Sequence, residues 1–200
     1  MKLLDFINKK KWNEVIKIIK NINDSILNGN SLIHYAGLQN DLNLFNILVK
    51  KKAKLNKTND NGQNIAHITA EHGYYNLLKK IIDTDPNILY NKDYKLNTTF
   101  YYLSDNLEIL KYIFNKYKKI DYKYLLNQIN INGYTPLTKV IDKGLYKIIK
   151  FFMKNKDIDF NTPFENLPIF TLIESDLFKT KEKIELLNVL KIFLLKLVLV

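Results

Sequence analysis

The stretch Asn132-Gly133-Tyr134-Thr135-Pro136-Leu137, NGYTPL, packs a turn glycine, a threonine and a proline into the start of an apolar run. The same grammar occurs twice earlier, around Gly62 in DNGQNIAH and around Gly29 in NGNSLIHYA. Gly29 and Gly62 are 33 residues apart, and so are His34 and His67. Gly73 and Gly144 each fall 11 residues after a turn glycine, and Asn40 takes that place after Gly29. The chain needs a positive φ in the turn before a helix and again where that helix stops, and asparagine is the next best residue for the second task.

A second signal runs in step with the first. After each stop come apolar pairs four residues apart: Leu44-Phe45 with Leu48-Val49, Leu77-Leu78 with Ile81-Ile82, Ile109-Leu110 with Ile113-Phe114, and Ile148-Ile149 with Phe152-Met153. Each set is one buried face of a helix. The repeating unit is therefore a turn, a short helix, a stop, a second helix and a polar loop such as AKLNKTNDNG. No single unit can bury its own apolar face, so the units must stack.

This pattern resembles the ankyrin repeat, a 33-residue unit with a T-P-L-H-x-A signature. Thr135, Pro136 and Leu137 match its first three letters, and SLIHYA (31–36) and NIAHITA (64–70) keep the histidine and the small residue. The resemblance implies an all-α fold: an ankyrin-repeat solenoid of stacked helix pairs with short turns, one degenerate unit and irregular end units. It would form a single domain over 1–200, with an N-terminal partial unit at 1–27, repeats at 28–60, 61–93, 94–131 and 132–163, and a C-terminal unit at 164–200. In the N-terminal unit WNEVIKII supplies a second helix. The unit near Lys95 lacks both glycine and histidine and is followed by about five inserted residues within 115–130. The resemblance also implies that Thr135 caps its helix, that Pro136 fills the first turn, and that His34 and His67 hold neighbouring units in register through local hydrogen bonds.

Composition sets the outer limits. The chain has 200 residues, 46% of them hydrophobic and 12% aromatic, enough to bury a substantial core. It contains no cysteine, which excludes a disulfide scaffold, a thiolate metal site and a cysteine nucleophile, and which fits a reducing cytoplasm. The opening MKLLDFINKKKWNE has no continuous apolar run of the kind a signal peptide needs, so a soluble, unprocessed, non-transmembrane protein is expected. The formal net charge is +11, and every basic residue other than histidine is lysine. Nucleic-acid readers lean on arginine for forked and stacking contacts. Abundant lysine, asparagine, isoleucine and tyrosine are also what an AT-rich genome would produce, so the charge argues only weakly for a nucleic-acid partner.

Chemistry is sparse. His67, Glu71 and His72 lie close together, but a zinc-binding helix sets its histidines at i and i+4, and these two are five apart. His72, just ahead of the stop glycine, suits a helix-end cation. No serine has a histidine placed to activate it, no phosphate-cradling loop follows a strand, and the carboxylates are scattered among lysines. The expectation is no enzyme, no metal and no cofactor.

What remains is recognition. Stacked helix pairs present a long surface of first helices and projecting turns, which in the ankyrin family serves protein binding. The positions that the resemblance turns toward a partner are Asn28, Asn30, Leu38 and Gln39, then Asp60, Asn61, Gln63, Glu71 and His72, then Asn132, Tyr134, Asp142 and Lys143. Most are polar, as solvent-facing residues would be in any case. Eight tyrosines between 90 and 124 form a second candidate, represented by Tyr94, Tyr101 and Tyr122, because tyrosine gives contact area at low entropy cost. Codon bias and ordinary packing are the competing account, certainly for Tyr112 within the second helix.

Two classes of function stay open: a protein-interaction module or adaptor, and a lysine-rich electrostatic binder of nucleic acid or an anionic membrane surface. The style is that of AT-rich ankyrin proteins from large DNA viruses and intracellular bacteria, which would place the protein in a host cytoplasm. At the end of the chain, LLNVLKIFLLKLVLV (186–200) is too apolar for a single helix face and carries Lys191 and Lys196, which make it a poor membrane span. It is read as a surface for self-association, for a partner, or for further repeats.

Overall fold

The structure, a computed structural model, describes residues 2–159, 179–182 and 184–188. Among these the chain is all-helical, with no strand and only isolated bridges such as that between Leu27 and Asn30. Its contacts divide it into two compact units, Met1–Tyr94 and Lys95–Val200. Most of the expected C-terminal unit at 164–200, including 189–200 of its apolar tail, lies outside the described residues.

The first unit contains three helix pairs: α1 (Lys2–Asn8) with α2 (Trp12–Ile18), α3 (Leu32–Leu38) with α4 (Leu42–Lys50), and α5 (Ile65–Glu71) with α6 (Tyr75–Thr84). A 3-10 turn at Pro86–Tyr90 follows. The seven-residue helices α3 and α5 are too short to persist alone and are held by packing. In α5, Ile65, Ala66, His67, Ile68, Thr69 and Ala70 are all buried, because neighbours cover the helix on every side but its end. Gly37 of α3 lets α5 come close: a Cβ there would sit 3.0 Å from Cγ1 of Ile65. The second helices bury one face only. Leu44, Phe45 and Leu48 of α4, and Leu77, Leu78, Ile81 and Ile82 of α6, face the core, each contributing about 1.5–3 kcal/mol. Asp41 joins two pairs, since one carboxylate oxygen caps α4 at Leu44 N–H (2.9 Å) while the other accepts from the Trp12 indole of α2 (2.7 Å).

The glycines act as their spacing suggests. Gly73 has φ +71°, its N–H reaches Ala70 O (3.2 Å), and the next N–H, of Tyr74, reaches Thr69 O (2.9 Å), which satisfies the last carbonyls of α5. After α3 Asn40, at φ 50°, does the same: its N–H reaches Gly37 O (3.1 Å) and the next N–H, of Asp41, reaches Ala36 O (2.8 Å).

The second unit contains α7 (Thr99–Leu103), α8 (Leu107–Lys116), α9 (Tyr122–Asn127), α10 (Pro136–Asp142) and α11 (Tyr146–Met153), with further helical residues at 180–182 and 184–188. Glu185 accepts from the Tyr146 hydroxyl and from Lys150 Nζ, and these two donors hold its carboxyl below the usual range. The inserted segment holds α9, whose Tyr122 ring stacks on Phe114 (centroids 4.0 Å, 15°). Two devices repair the degenerate repeat. Leu96 takes φ +61°, where Gly62 has +73° and Gly133 has +76°. Helix α7 ends without a positive-φ stop, and Lys139 of α10 instead donates from Nζ to the carbonyls of Tyr101 (2.8 Å) and Tyr102 (2.9 Å).

Candidate interaction groove

Each groove position is built from a turn and the helix after it. In the first unit Asn59 N–H donates to Gln63 O (2.9 Å) and Gly62 N–H to Asn59 O (2.9 Å), closing the turn. The buried Asn59 side chain locks it: Oδ1 accepts from Asn61 N–H and Gln63 N–H (3.0 Å each), and Nδ2 donates to Asn30 Oδ1 of the preceding turn (3.1 Å). Turn meets turn through backbone as well, Asp60 N–H to Asn28 O (3.3 Å) and Tyr94 N–H to Asn61 O (3.1 Å). The approach is close enough that a Cβ on Gly29 would lie 2.5 Å from Asp60 N, and one on Gly62 would lie 2.7 Å from Tyr94 N.

Histidines fix the helices beneath. Ser31 N–H donates to His34 Nδ1 (3.0 Å), so the ring proton sits on Nε2, which donates to Gln63 O in the next turn (3.1 Å). Burial holds the His34 pKa below its ordinary value. His67 repeats the device, with Asn64 N–H on Nδ1 (3.2 Å) and Nε2 at Asn91 O (3.0 Å). Its carbonyl partner is 24 residues away rather than 29 and directly follows the 3-10 turn. In α10 the same capping box is made by Thr135 and Thr138: Thr138 N–H donates to the Thr135 hydroxyl (3.2 Å), and Thr135 N–H to the Thr138 hydroxyl (2.7 Å). Pro136 and Leu137 are buried behind it.

On this frame a groove of about 450 Å³ opens in the first unit. Its walls are the turn residues Asn28, Asn30, Asp60, Asn61 and Gln63 and the helix residues Leu38, Glu71 and His72. Gln63 Nε2 holds the Glu71 carboxylate (2.8 Å), and His72 stacks on Tyr74 (centroids 5.5 Å) while its Nδ1 meets Ile68 O (2.9 Å). Gln39 is set apart, donating from Nε2 to Ile7 O (3.3 Å). Asn59 and Ile68 also line the groove and were missed in the sequence. A signal for Asn59 existed, since Asn59 and Asn130 both stand three residues before a turn glycine.

The second unit places the remaining candidates on local partners. Asn130 repeats the lock, with Oδ1 on Asn132 N–H (2.9 Å) and Tyr134 N–H (3.0 Å) and Nδ2 on Asn97 Oδ1 (2.9 Å). The Tyr134 hydroxyl donates to Asp142, which raises its pKa. This brace spans the same two repeat positions as Gln63 and Glu71. Lys143 Nζ lies 2.5 Å from the Asp105 carboxylate, and Lys139 lies 3.6 Å from it. Tyr101 is half-buried with Lys139 over its ring (4.9 Å), and burial, helped by Tyr134 and Asp142, pushes its pKa up to about 12. Its hydroxyl stays protonated at any physiological pH. Tyr122 donates to Ile113 O and Tyr117 O (2.9 Å each), which makes it an anchor of α9. Tyr94, 70% exposed, ends the first unit. Tyr101 and Tyr122 thus meet separate local partners, and Tyr94 is exposed.

Among the described residues no group of three acidic or histidine side chains is placed to hold a metal ion, and no helix is long and apolar enough to cross a membrane. No protein-family model matches the chain, and no curated protein matches it.

Proposed function

We propose that the chain is an ankyrin-type repeat protein that works without catalysis, as a protein-interaction module or adaptor in the cytoplasm. The observation that carries this reading is the groove of the first unit. Eight residues nominated by repeat position, far apart in sequence, line one concave surface whose turns are locked by Asn59 and by turn-to-turn backbone bonds. A surface ordered before binding loses little entropy on binding. Its polar lining of amides and carboxylates suits the main chain and polar side chains of a protein partner.

The test is affinity capture with the 200-residue chain, identification of captured proteins by mass spectrometry, and re-measurement with purified partner and an Asn61→Arg variant. The reading expects a partner whose affinity falls at least tenfold with that variant and changes little between 50 and 200 mM salt. The rival, an electrostatic binder of nucleic acid or anionic membrane relying on the +11 charge, expects the reverse: affinity falling steeply with salt and indifferent to Asn61.

A further inference from the structure

We propose that the groove of the first unit receives a basic side chain of the partner protein, with Asp60 and Glu71 as its counter-charges. The inference rests on the interaction-module reading and adds the chemistry of the bound residue. The charge pattern carries it. Of 31 lysines in the chain, none lines this groove, whereas two carboxylates and five side-chain amides do. Among the described residues no lysine pairs with Asp60 or Glu71. In the second unit one inner carboxylate, Asp105, is held by Lys143 at 2.5 Å and Lys139 at 3.6 Å, while Asp142 is braced by the Tyr134 hydroxyl as Glu71 is by Gln63. In a protein with so many cations, the carboxylates of the first groove are left for a cation from outside.

The local geometry favours such a guest. Gln63 Nε2 fixes Glu71 at 2.8 Å and leaves the rest of that carboxylate able to accept. Asp60 is anchored by its backbone bond to Asn28, so its side chain is carried on a rigid turn. Asn28 and Asn61 add side-chain amides at the rim. Arginine and lysine carry only donors and an ionised carboxylate only acceptors, so the guest and the two counter-charges are matched.

The test is a ¹⁵N NMR titration of the full chain with Nα-acetyl-arginine N-methylamide, and with its neutral isostere Nα-acetyl-citrulline N-methylamide. Saturable shifts centred on Asn61, Gln63, Glu71 and His72 are expected with the arginine probe, and binding about fivefold weaker with the citrulline probe, the range of one solvent-exposed charge pair. The doubly neutralised variant Asp60→Asn, Glu71→Gln, isosteric at both positions, should erase the difference between the probes. Equal binding of the two probes, shifts confined to the Asp105 region, or no saturable shift would overturn the proposal. So would a captured partner whose affinity survives the doubly neutralised variant yet falls with Asn61→Arg, and that result would leave the interaction-module reading standing.

Discussion

Gly62 and Gly73 have nearly the same backbone conformation, φ +73° and +71°, in very different surroundings, which allows strain and contact to be separated. At Gly73 an added Cβ meets nothing closer than 3.7 Å, so Gly73→Ala carries only the left-handed penalty. That penalty is about 1–2 kcal/mol, and the stiffer unfolded chain offsets about 0.4–1 kcal/mol of it, leaving a net loss of about 1 kcal/mol. At Gly62 the same Cβ would stand 2.7 Å from the backbone nitrogen of Tyr94 and 2.5 Å from its ring. The nitrogen belongs to the next turn and cannot rotate away. Relief requires the turns to part, which adds about 1–3 kcal/mol of overpacking strain and forfeits the Tyr94 N–H to Asn61 O bond, worth about 1 kcal/mol. Gly62→Ala should therefore cost about 3–5 kcal/mol, roughly three to five times the loss at Gly73. Urea unfolding of both variants beside the parent chain, with linear extrapolation, measures the two losses. Losses that agree within about 0.5 kcal/mol would refute the claim that turn-to-turn contact, rather than backbone conformation, demands glycine at position 62.

The other expectations concern single residues. Leu96 is 45% exposed and holds φ +61°, so Leu96→Asn should raise the unfolding free energy by about 0.5–1 kcal/mol while Leu96→Ala gives no gain, both read by urea midpoint. Lys139→Met removes the cation that satisfies two carbonyls of α7 and should cost about 1.5–3 kcal/mol, with amide hydrogen exchange rising first at Leu103 to Asn106. The folded-state pKa of His34 lies below 6.5, so between those values the unfolded chain binds more protons, and stability falls as pH drops below about 6.5. His34→Gln should flatten that fall between pH 7.5 and 5, and an unchanged slope would show that another group causes it. Tyr122→Phe loses a hydroxyl shared by two carbonyls and should destabilise the chain by about 1 kcal/mol without altering partner affinity, measured by unfolding and by binding to the captured partner.

Much of the first unit was legible because its causes are local in sequence. A positive φ asks for glycine or asparagine wherever it occurs, and an amphipathic helix repeats its apolar residues by its own geometry, so Gly29, Gly62, Gly73, Asn40 and the paired residues of α4 and α6 declare themselves without a partner in view. A regular repeat then carries each position to the next unit, which is how Asn28, Asn61 and Glu71 could be assigned to one surface before their groove was seen. The remainder depended on which atoms meet through space. Nothing near Leu96 in sequence requires a left-handed residue; the backbone bond from Ile131 N–H to Lys95 O (3.0 Å) and the lock between Asn97 and Asn130 (2.9 Å) hold the turn in that shape. Lys139 reads as one more surface lysine, yet its side chain is only 14% exposed and ends at the last carbonyls of a helix 37 residues earlier. Tyr122 is grouped with binding tyrosines by composition, and only the fold shows its ring on Phe114 and its hydroxyl at two carbonyls. Backbone conformation and helix periodicity are properties of a few consecutive residues, whereas a hydrogen-bond debt can be settled by any donor the fold brings near, and only the tertiary structure decides which one that is.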